Sequence, residues 1–270
     1  MIKRKIYDCI TFFDENLLTN LRFEILKNVV DYFIVCESTF DHKRKKKEIN
    51  FKLINHEFKN KVKHLIINEA FPSNLNNWQV EEFQREKLLK ATEEADPEDF
   101  IMYSDSDEIP NPEILKNFNL KKKYGIFLQN FYVYNLNIFN QYETPWEGTR
   151  ICKKKNLKSI THLRKKIKKS NLDKSFWKIH IPKDIECFND GGWHLNNFNT
   201  PEKISLKLKT FQHGEYASEK FSEPNVIRTK IQNLEDLFER GNKYRKVGVG
   251  ETLPDYLIKN YNKIKEKIGL

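Results

Sequence analysis

The first hundred residues alternate between two spacings of apolar positions. Residues 5–13, 31–38, 61–68 and 99–104 are short apolar runs bounded by polar residues, which predict buried strands. Between the first two runs, and again over 77–95, apolar residues recur every three or four positions, as in an amphipathic helix. Strands that alternate with helices predict an α/β fold with three layers, α/β/α, around a mostly parallel sheet.

The second half of the sequence has a less regular pattern. Residues 124–137 predict one or two strands, residues 156–170 a basic amphipathic helix or helix-like loop, and residues 190–198 a turn marked by glycines. A helix is predicted to begin at Thr200, which can act as N-cap before Pro201. A further helix is predicted over 225–241, ending at a glycine.

Three carboxylates follow the fourth predicted strand directly. Asp105, Asp107 and Glu108 stand where parallel α/β sheets bind ligands, beyond the carboxyl ends of the strands. Two aspartates one residue apart can hold Mg²⁺ or Mn²⁺, and such an ion would bridge two phosphate oxygens of a nucleotide. A solvated acidic turn is the simpler explanation of an isolated Asp-x-Asp pair.

Two reaction classes fit an Asp-x-Asp pair at a strand end. An aspartate-based phosphohydrolase is expected to carry the pair on its first strand, with Thr or Val two positions after the second Asp. Here the pair follows the fourth strand and that position is Ile109. A nucleotide-sugar transferase is expected to have a nucleotide-binding half upstream of the pair, and this layout matches the sequence better.

The charge of the chain suggests a different class of function. The formal net charge is +10, and much of the excess lies in residues 42–47 and 163–169. Such runs attract nucleic acid, nucleotide phosphates or an acidic membrane face, although a solvated loop or helix face explains them equally well. A basic nucleic-acid-binding module is therefore the alternative, but the sequence has no zinc-finger or RNA-binding signature, so no nucleic-acid partner is expected.

The cysteines and the hydropathy indicate the compartment. Cys9, Cys36, Cys152 and Cys187 form no C-x-x-C pair, so we expect reduced, partly buried thiols and no zinc knuckle. No apolar stretch approaches the ~18 residues that span a bilayer, and charges interrupt the N-terminal residues where a signal peptide would be apolar. We expect a soluble, cytoplasmic protein.

Segments of the sequence also resemble a known family. The segments "IYDCITFFDENLLTNLRFEIL", "VVDYFIVCEST", "WQVEEFQRE", "IMYSDSDEIPNPEIL", "GGWHLNNF" and "KLKTFQHGEY" occur in the order and spacing of glycosyltransferase family 17, over about residues 6–216. This family includes β-1,4-N-acetylglucosaminyltransferases. The resemblance implies a GT-A-like nucleotide-sugar transferase fold, a UDP-sugar donor such as UDP-GlcNAc, a glycan or glycolipid acceptor and an inverting, metal-dependent transfer with Mn²⁺ or Mg²⁺.

The resemblance and the predicted strand ends together suggest roles for individual residues. We expect one domain over 1–270, with a nucleotide-binding half over about 1–110 and an acceptor-binding half over about 111–270. The predicted donor-binding residues are Thr11, Phe12, Glu37, Gln84, Arg85 and Asp105. Glu37 could instead pair with a nearby lysine, and Arg85 with Glu81 or Glu82. The predicted metal ligands are Asp105, Asp107 and His213.

The acceptor side and the catalytic base are predicted from the second half. The predicted acceptor-binding residues are Gly191, Gly192, Trp193 and His194, although Trp193 could instead be a core residue. An inverting transfer needs a base for the acceptor hydroxyl, and the candidates are Glu202, Asp190 and Glu215. Glu202 is the first choice among them, with helix capping as its competing role.

The basic segment 157–170 is predicted to bind an acidic partner outside the donor pocket. An acceptor glycan with phosphate or carboxylate groups would suit its lysines, as would peripheral contact with an anionic membrane. The competing explanation is that these lysines only keep a packed helix soluble.

Overall fold

The computed structural model describes residues 4–210, 214–250 and 252–268. The strands within these residues are β1 Ile6–Phe12, β2 Tyr32–Ser38, β3 Val62–Ile67, β4 Phe100–Ser104, β5 Glu108–Pro110, β6 Tyr124–Val133, β7 Ile138–Phe139, β8 Trp146–Lys153, β9 Ile185–Phe188, β10 Gly192–Asn196 and β11 Arg245–Lys246. The α-helices are α1 Asn16–Leu26, α2 Asn77–Glu86, α3 Pro112–Leu115, α4 Ile160–Lys166, α5 Pro201–Thr210, α6 Glu219–Ser222, α7 Pro224–Gln232, α8 Asp255–Lys259 and α9 Tyr261–Lys267. Short 3₁₀ helices span His56–Phe58, Lys87–Thr92, Lys154–Asn156, Lys169–Asn171 and Gly214–Tyr216.

The first four strands form the parallel part of the sheet, in the order β3-β2-β1-β4. Phe12 lies opposite Glu37 of β2, and Ile10 lies opposite Ser104 of β4. Because parallel strands share a direction, the carboxyl ends of β1, β2 and β4 meet at one edge. The segment that follows β4, with its carboxylates, therefore lies at this edge.

Alternation along the strands produces the three layers. One face of the sheet packs against α1, α8 and α9, through residues such as Ile10 and Met102. The other face packs against α4 and the 3₁₀ turn after α2, through residues such as Cys9 and Tyr103. These two covered faces confirm the predicted α/β fold class with three layers, α/β/α.

The second half of the sheet mixes strand directions. β8 pairs antiparallel to both β4 and β6, whereas β9 and β10 pair parallel to β6. β6 is one continuous strand of ten residues where the sequence allowed one or two. A third apolar cluster joins the end of β6 to α5 and α7. The sheet is thus parallel through β1–β4 and mixed beyond.

Two elements differ from the sequence prediction. The predicted glycine turn at 190–198 contains strand β10, which pairs with β5 and β6. The predicted helix over 225–241 ends at Gln232, and Leu234 has a φ of 58° that helical residues do not adopt. Its later apolar residues, Leu237 and Phe238, instead pack from a loop into the third cluster.

All four cysteines are free thiols, as predicted. Cys9, Cys36 and Cys152 are buried and Cys187 is half-buried. Burial raises the pKa of Cys36 and of Cys152 to about 12, so both are protonated at neutral pH. Over the described ranges 4–210, 214–250 and 252–268, no helix has the length and apolarity needed to cross a membrane.

Candidate active site

A cleft of about 720 Å³ lies at the carboxyl edge of the parallel strands. Its floor is the segment after β1 and the turn after β4, and its walls come from α2, α4 and α5. Polar and aromatic side chains dominate its lining, which consists of Thr11, Phe12, Phe13, Glu15, His42, Trp78, Glu81, Gln84, Arg85, Asp105, Ser106, Asp107, Trp146, Arg164, Lys165, Lys166, Lys168, His194 and Lys207.

The carboxylate cluster forms a tight turn between β4 and β5. The amide of Glu108 donates to the carbonyl of Asp105 at 3.0 Å, and the amide of Asp105 donates to Oε2 of Glu108 at 3.1 Å. β5 then pairs antiparallel to β10, with Glu108 opposite His194. The turn therefore presents Asp105 and Asp107 to the cleft, while the side chain of Glu108 is fully buried.

A buried arginine supports this turn from the core side. Arg22 of α1 donates from Nε and Nη2 to the two oxygens of Asp8, each at 2.6 Å. Its Nη2 also donates to Oγ of Ser104 at 2.8 Å, and its Nη1 donates to the carbonyl of Glu108. The hydroxyls of Ser104 and Thr149 are 2.7 Å apart. This network ties α1, β1, β4 and β8 together beneath the turn.

A second arginine holds the turn from the cleft side. Nη2 of Arg164 contacts Oδ2 of Asp105 and donates to Oε1 of Glu108 at 2.8 Å, and its Nη1 donates to Oε2 of Glu108 at 3.2 Å. The indole Nε1 of Trp146 donates to the same Oε1 at 2.7 Å. The guanidinium thus bridges two carboxylates of the motif in the planar, forked geometry that suits arginine.

A third arginine reaches Asp105 through a tyrosine. Nε of Arg85 donates to the hydroxyl of Tyr103 at 2.9 Å, and that hydroxyl donates to Oδ1 of Asp105 at 3.1 Å. Arg85 also contacts Glu81, one turn earlier in α2. Both oxygens of Asp105 therefore have protein partners, Tyr103 at Oδ1 and Arg164 at Oδ2.

The surroundings of Asp107 are looser. Its Oδ1 lies 3.5 Å from Nε2 of His194, and its Oδ2 lies 3.7 Å from Nζ of Lys207. The His194 ring stacks on Trp146 with centroids 4.7 Å apart, and its other face lies 4.2 Å from the Phe131 ring. Nδ1 of His194 is buried without a hydrogen-bond partner in the described part of the chain. The ring is thus fixed by packing.

The basic side chains around the turn keep the two aspartates ionised. Burial alone would raise the pKa of Asp105, but the guanidiniums of Arg164 and Arg85 outweigh it, so its pKa lies below the ordinary value. Burial is likewise outweighed at Asp107, where His194 and Lys207 hold the pKa well below the usual range. The cleft therefore offers two carboxylate anions at neutral pH.

Asp107 is the carboxylate that fits a divalent cation. Its ion-pair neighbours are farther than the 2.7–2.9 Å typical of charge-assisted hydrogen bonds, so its oxygens keep lone pairs for a metal. In the described residues, no three His, Cys, Asp or Glu side chains cluster as in a metal site formed by protein ligands alone. Mg²⁺ is commonly held by one or two carboxylates together with substrate phosphates, and this arrangement matches that mode.

Most of the predicted donor-binding residues do line the cleft. Thr11, Phe12, Gln84, Arg85 and Asp105 border it. Of the predicted metal ligands, Asp105 and Asp107 border it, and His213 lies outside the described residues.

Glu37 is the donor-binding prediction that the structure does not bring to the cleft. Its side chain is fully buried, and it accepts hydrogen bonds from Nζ of Lys47 at 2.6 Å and from the amides of Asn50 and Phe51 at 2.7 and 3.1 Å. Nε2 of His64 lies 3.2 Å from Oε2 of Glu37. Glu37 therefore anchors the loop after β2, which corrects its predicted contact with the nucleoside.

Only one of the four predicted acceptor-binding residues reaches the cleft. His194 lines it, whereas Trp193, the neighbour on the opposite face of β10, is buried and donates from Nε1 to the carbonyl of Thr252. A Cβ on Gly192, where φ is +129°, would lie 2.1 Å from the carbonyl oxygen of Ile109, and one on Gly191 would lie 2.6 Å from a backbone nitrogen. The glycine pair therefore allows close strand packing, which corrects the predicted sugar contact at Gly191, Gly192 and Trp193.

The three predicted catalytic bases are also placed elsewhere. Glu202 is exposed at the start of α5 and lies 2.8 Å from Arg228. Asp190 is exposed in the turn before β10, with a φ of 47°, and Glu215 is exposed in a 3₁₀ helix. None of the three is among the described residues that line the cleft, which corrects the prediction of the catalytic base.

Several cleft residues were not singled out as site residues from the sequence. The sequence gives no local motif for Trp146, Lys207 or Trp78, which lie on separate elements, and it marks His42 only as part of the basic run 42–47. The sequence prediction places Arg164 in a basic segment outside the donor pocket. The structure instead brings Arg164 into the cleft, together with the neighbouring lysines of α4.

A second cavity of about 330 Å³ adjoins the cleft. The two cavities share Trp146, His194 and Lys207, and the second one continues toward Tyr216 and Arg240. His194 therefore stands at the junction between a polar cleft and a smaller, more apolar cavity.

The family model and the curated relatives that match this chain both indicate glycosyltransferases. A family model described as "Glycosyltransferase family 17" matches residues 1–245. The chain is similar to the beta-1,4-mannosyl-glycoprotein 4-beta-N-acetylglucosaminyltransferase of Rattus norvegicus, at 24% identity over 98% of this chain and 54% of the relative. The corresponding protein of Homo sapiens is 24% identical over 97% of this chain and 54% of the relative. The chain thus spans about half the length of the curated relatives that it matches.

Solved structures give a weaker likeness. One is described as a glycosyltransferase involved in the glycosylation of the major capsid of PBCV-1, with 12% identity, a TM-score of 0.32, and coverage of 68% of this chain and 81% of that chain. Another is a 4-diphosphocytidyl-2C-methyl-D-erythritol synthase, with 12% identity, a TM-score of 0.36, and coverage of 73% and 90% respectively. The assignment of the fold above therefore rests on the order and packing of the strands themselves.

Proposed function

Because the chain belongs to glycosyltransferase family 17, we propose that it moves a sugar from a nucleotide donor to a glycan hydroxyl, with inversion at the anomeric carbon. The proposed donor is UDP-N-acetylglucosamine, since the curated relatives are named as N-acetylglucosaminyltransferases. The observation that carries the proposal is the Asp105–Asp107 turn, which borders a 720 Å³ cleft at the carboxyl edge of a parallel sheet.

Different parts of the cleft would bind different parts of the donor. Thr11 and Phe12, at the end of β1, would contact the nucleoside, while lysines from two walls would face the diphosphate. Lys166 and Lys168 of the α4 wall and Lys207 of α5 border the same cavity as the acidic turn. Positive charge in a partly enclosed site stabilises a departing diphosphate more than it would in open water.

Asp107 is the residue proposed to hold Mn²⁺ or Mg²⁺, and a bound ion of this kind would neutralise charge on the leaving diphosphate. Asp105 has a different role in the proposal. Because both of its oxygens have protein partners, it orients the guanidinium of Arg164 and is linked to Arg85 through the hydroxyl of Tyr103.

We assign the base for the acceptor hydroxyl to His194. The imidazole stands at the junction of the two cavities, which suits a group that acts between donor and acceptor. Nε2 would take the proton of the acceptor hydroxyl, because Nδ1 is buried. The adjoining 330 Å³ cavity would then hold the acceptor glycan.

The proposal is tested by thermal unfolding with UDP and Mn²⁺, followed by transfer assays with UDP-N-acetylglucosamine. Saturating UDP with Mn²⁺ should stabilise the wild type by about 2.7 kcal/mol at one hundred times the dissociation constant. Asp107→Asn should lose the metal-dependent part of this shift and about 10²- to 10³-fold of turnover, as when one electrostatic group is removed from an active site. His194→Gln should keep the shift and lose turnover.

Asp255→Asn is the matched control, because Asp255 is an exposed aspartate on α8. It should behave as wild type in both measurements. The proposal fails if no nucleoside diphosphate stabilises the protein with any divalent metal, or if Asp107→Asn transfers sugar at the wild-type rate.

A further inference from the structure

A loop that follows α4 exposes large apolar side chains. Every residue from 172 to 180 is exposed, between the 3₁₀ helix Lys169–Asn171 and β9. Within it, Phe176 is 75% exposed, Trp177 69% and Ile179 90%. Scattered single apolar residues are normal on protein surfaces, but three within four positions form a patch that calls for a partner.

The backbone of this loop is held in a defined shape. The amide of Lys178 donates to the carbonyl of Ser175 at 3.0 Å, and the amide of Ile181 donates to the carbonyl of Lys178 at 3.1 Å. Nζ of Lys183 donates to the carbonyl of Lys178 at 2.9 Å. The rings of Phe176 and Trp177 lie against each other, with centroids 3.8 Å apart. The loop thus presents its apolar side chains outward from consecutive turns.

The charge around the patch is strongly positive. Residues 165–183 include seven lysines and one aspartate. Lys174 and Lys178 are exposed within the loop itself, and Lys168 and Lys169 are exposed just before it. The loop therefore combines exposed aromatic and aliphatic side chains with exposed lysines nearby in sequence.

We propose that residues 172–183, the docking loop, bind the surface of an anionic lipid bilayer. Tryptophan and phenylalanine favour the boundary between headgroups and acyl chains, where an aromatic ring can be buried while its polar edge stays wet. Lysines beside them are attracted to anionic headgroups, and their long stems reach the surface while the ammonium stays hydrated. An apolar tip with basic flanks therefore matches both the apolar boundary and the negative charge of such a surface.

Docking through this loop has a consequence for the cleft. Lys165, Lys166 and Lys168 line the cleft, and the loop begins a few residues after Lys168. A bilayer bound by the loop would lie near the α4 wall, within reach of an acceptor carried on a lipid. The docking itself does not depend on the proposed sugar transfer, and it is tested without any measurement of activity.

The test is co-sedimentation of the full chain with sucrose-loaded vesicles of phosphatidylcholine, with and without about 30 mol% phosphatidylserine. Wild type should bind the anionic vesicles and much less the neutral ones. The Lys174→Gln/Lys178→Gln variant should partition roughly 10- to 25-fold less, at about fivefold per lysine. The Phe176→Ser/Trp177→Ser variant should lose about tenfold or more, because it removes the apolar tip.

Matched controls come from exposed residues elsewhere in the chain. Ile54→Ser removes an apolar side chain that is 60% exposed, and Lys263→Gln/Lys265→Gln removes two exposed lysines of α9. Both controls should bind the anionic vesicles as wild type does. Circular dichroism should show the same fold for all of these variants, because every substitution is on the surface.

Quenching by brominated lipid supplies a second readout. The fluorescence of wild type should be quenched on anionic vesicles, and Trp177→Phe should lose this quenching while still sedimenting. The proposal is overturned if wild type binds neither vesicle, or if the Phe176→Ser/Trp177→Ser variant binds as wild type does. It is also overturned if these variants change only the oligomeric state in solution, since the patch would then join two copies of the chain.

Discussion

Two arginine–carboxylate clusters hold the same turn from opposite sides. Beneath the turn, Arg22 and Asp8 pair in the core, with side-chain exposures of 0% and 1%. Above it, Arg164 bridges Asp105 and Glu108 at the floor of the cleft, and the side chain of Asp105 is 35% exposed. The chemistry of the two clusters is the same, but their access to water differs.

This difference decides what each cluster can do. The inner cluster is closed, since the Arg22 guanidinium is matched by Asp8, Ser104 and a backbone carbonyl. Such a pair has no site for a ligand, so its role is to fix the turn in place. The outer cluster borders solvent, so a ligand that enters the cleft can replace some of the hydrogen bonds between Arg164 and its carboxylates. The outer cluster can therefore contact a ligand, because one of its sides faces the cleft.

Removal of the inner arginine should have the largest effect. Arg22→Met leaves Asp8 as a buried carboxylate without its partner, and breaking a buried ion pair in this way costs about 3–5 kcal/mol of unfolding free energy. Urea unfolding followed by circular dichroism measures this loss. The double variant Asp8→Leu/Arg22→Met removes both charges and should recover most of it. A loss for Arg22→Met of less than about 1 kcal/mol would show that the inner cluster does not carry the turn.

Replacement of the outer arginine should affect catalysis more than stability. Arg164→Lys keeps the positive charge but loses the planar fork that joins Asp105 to Glu108. We expect kcat/KM for sugar transfer to fall roughly 10- to 100-fold, a loss of about 1.4–2.7 kcal/mol of transition-state stabilisation. Arg228→Lys, at an exposed arginine of α7 outside the cleft lining, is the control. If Arg164→Lys unfolds as readily as Arg22→Met, the two clusters are not distinct.

The position of the acidic turn could be predicted from sequence, because it depends on regular strands. The apolar runs of β1, β2 and β4 are short and bounded by polar residues, and parallel pairing then brings their carboxyl ends to one edge. Asp105 and Asp107 follow the last of these runs directly. Their position at the cleft therefore follows from local pattern together with a general rule of sheet geometry.

The partners of the turn could not be predicted, because they are distant from it in sequence. Arg164 lies among lysines whose pattern is that of a solvated helix face, and only the packing of Ile160, Leu163 and Ile167 turns this helix toward the cleft. Trp193 and His194 are neighbours in sequence, but β10 directs them to opposite faces of the sheet. No local signal distinguishes which of the two meets the ligand.

Glu37 tests whether exclusion from water is enough to give a carboxylate a purely structural role when it has no arginine partner. It is buried at the end of β2, where burial alone would raise its pKa, but His64, Lys47 and the Asn50 amide lower the pKa below its ordinary value of 4.5. A carboxyl group with a lowered pKa in the folded state stabilises the protein at pH values above its unfolded pKa. This contribution is lost as the pH falls through the folded-state pKa.

The smallest expected effect is therefore a pH-dependent one at this site. Glu37→Gln should lower the unfolding free energy by about 1–2 kcal/mol at pH 7, because an amide makes weaker hydrogen bonds with Lys47 than a carboxylate does. The difference from wild type should shrink below about pH 4, as Glu37 itself becomes protonated. Denaturant unfolding at pH 7, 5, 4 and 3 measures this, with the exposed Glu113→Gln as a flat control. If the difference in unfolding free energy instead widens below about pH 4, the ionised form of Glu37 destabilises the fold. Exclusion from water alone would then not make a carboxylate structural.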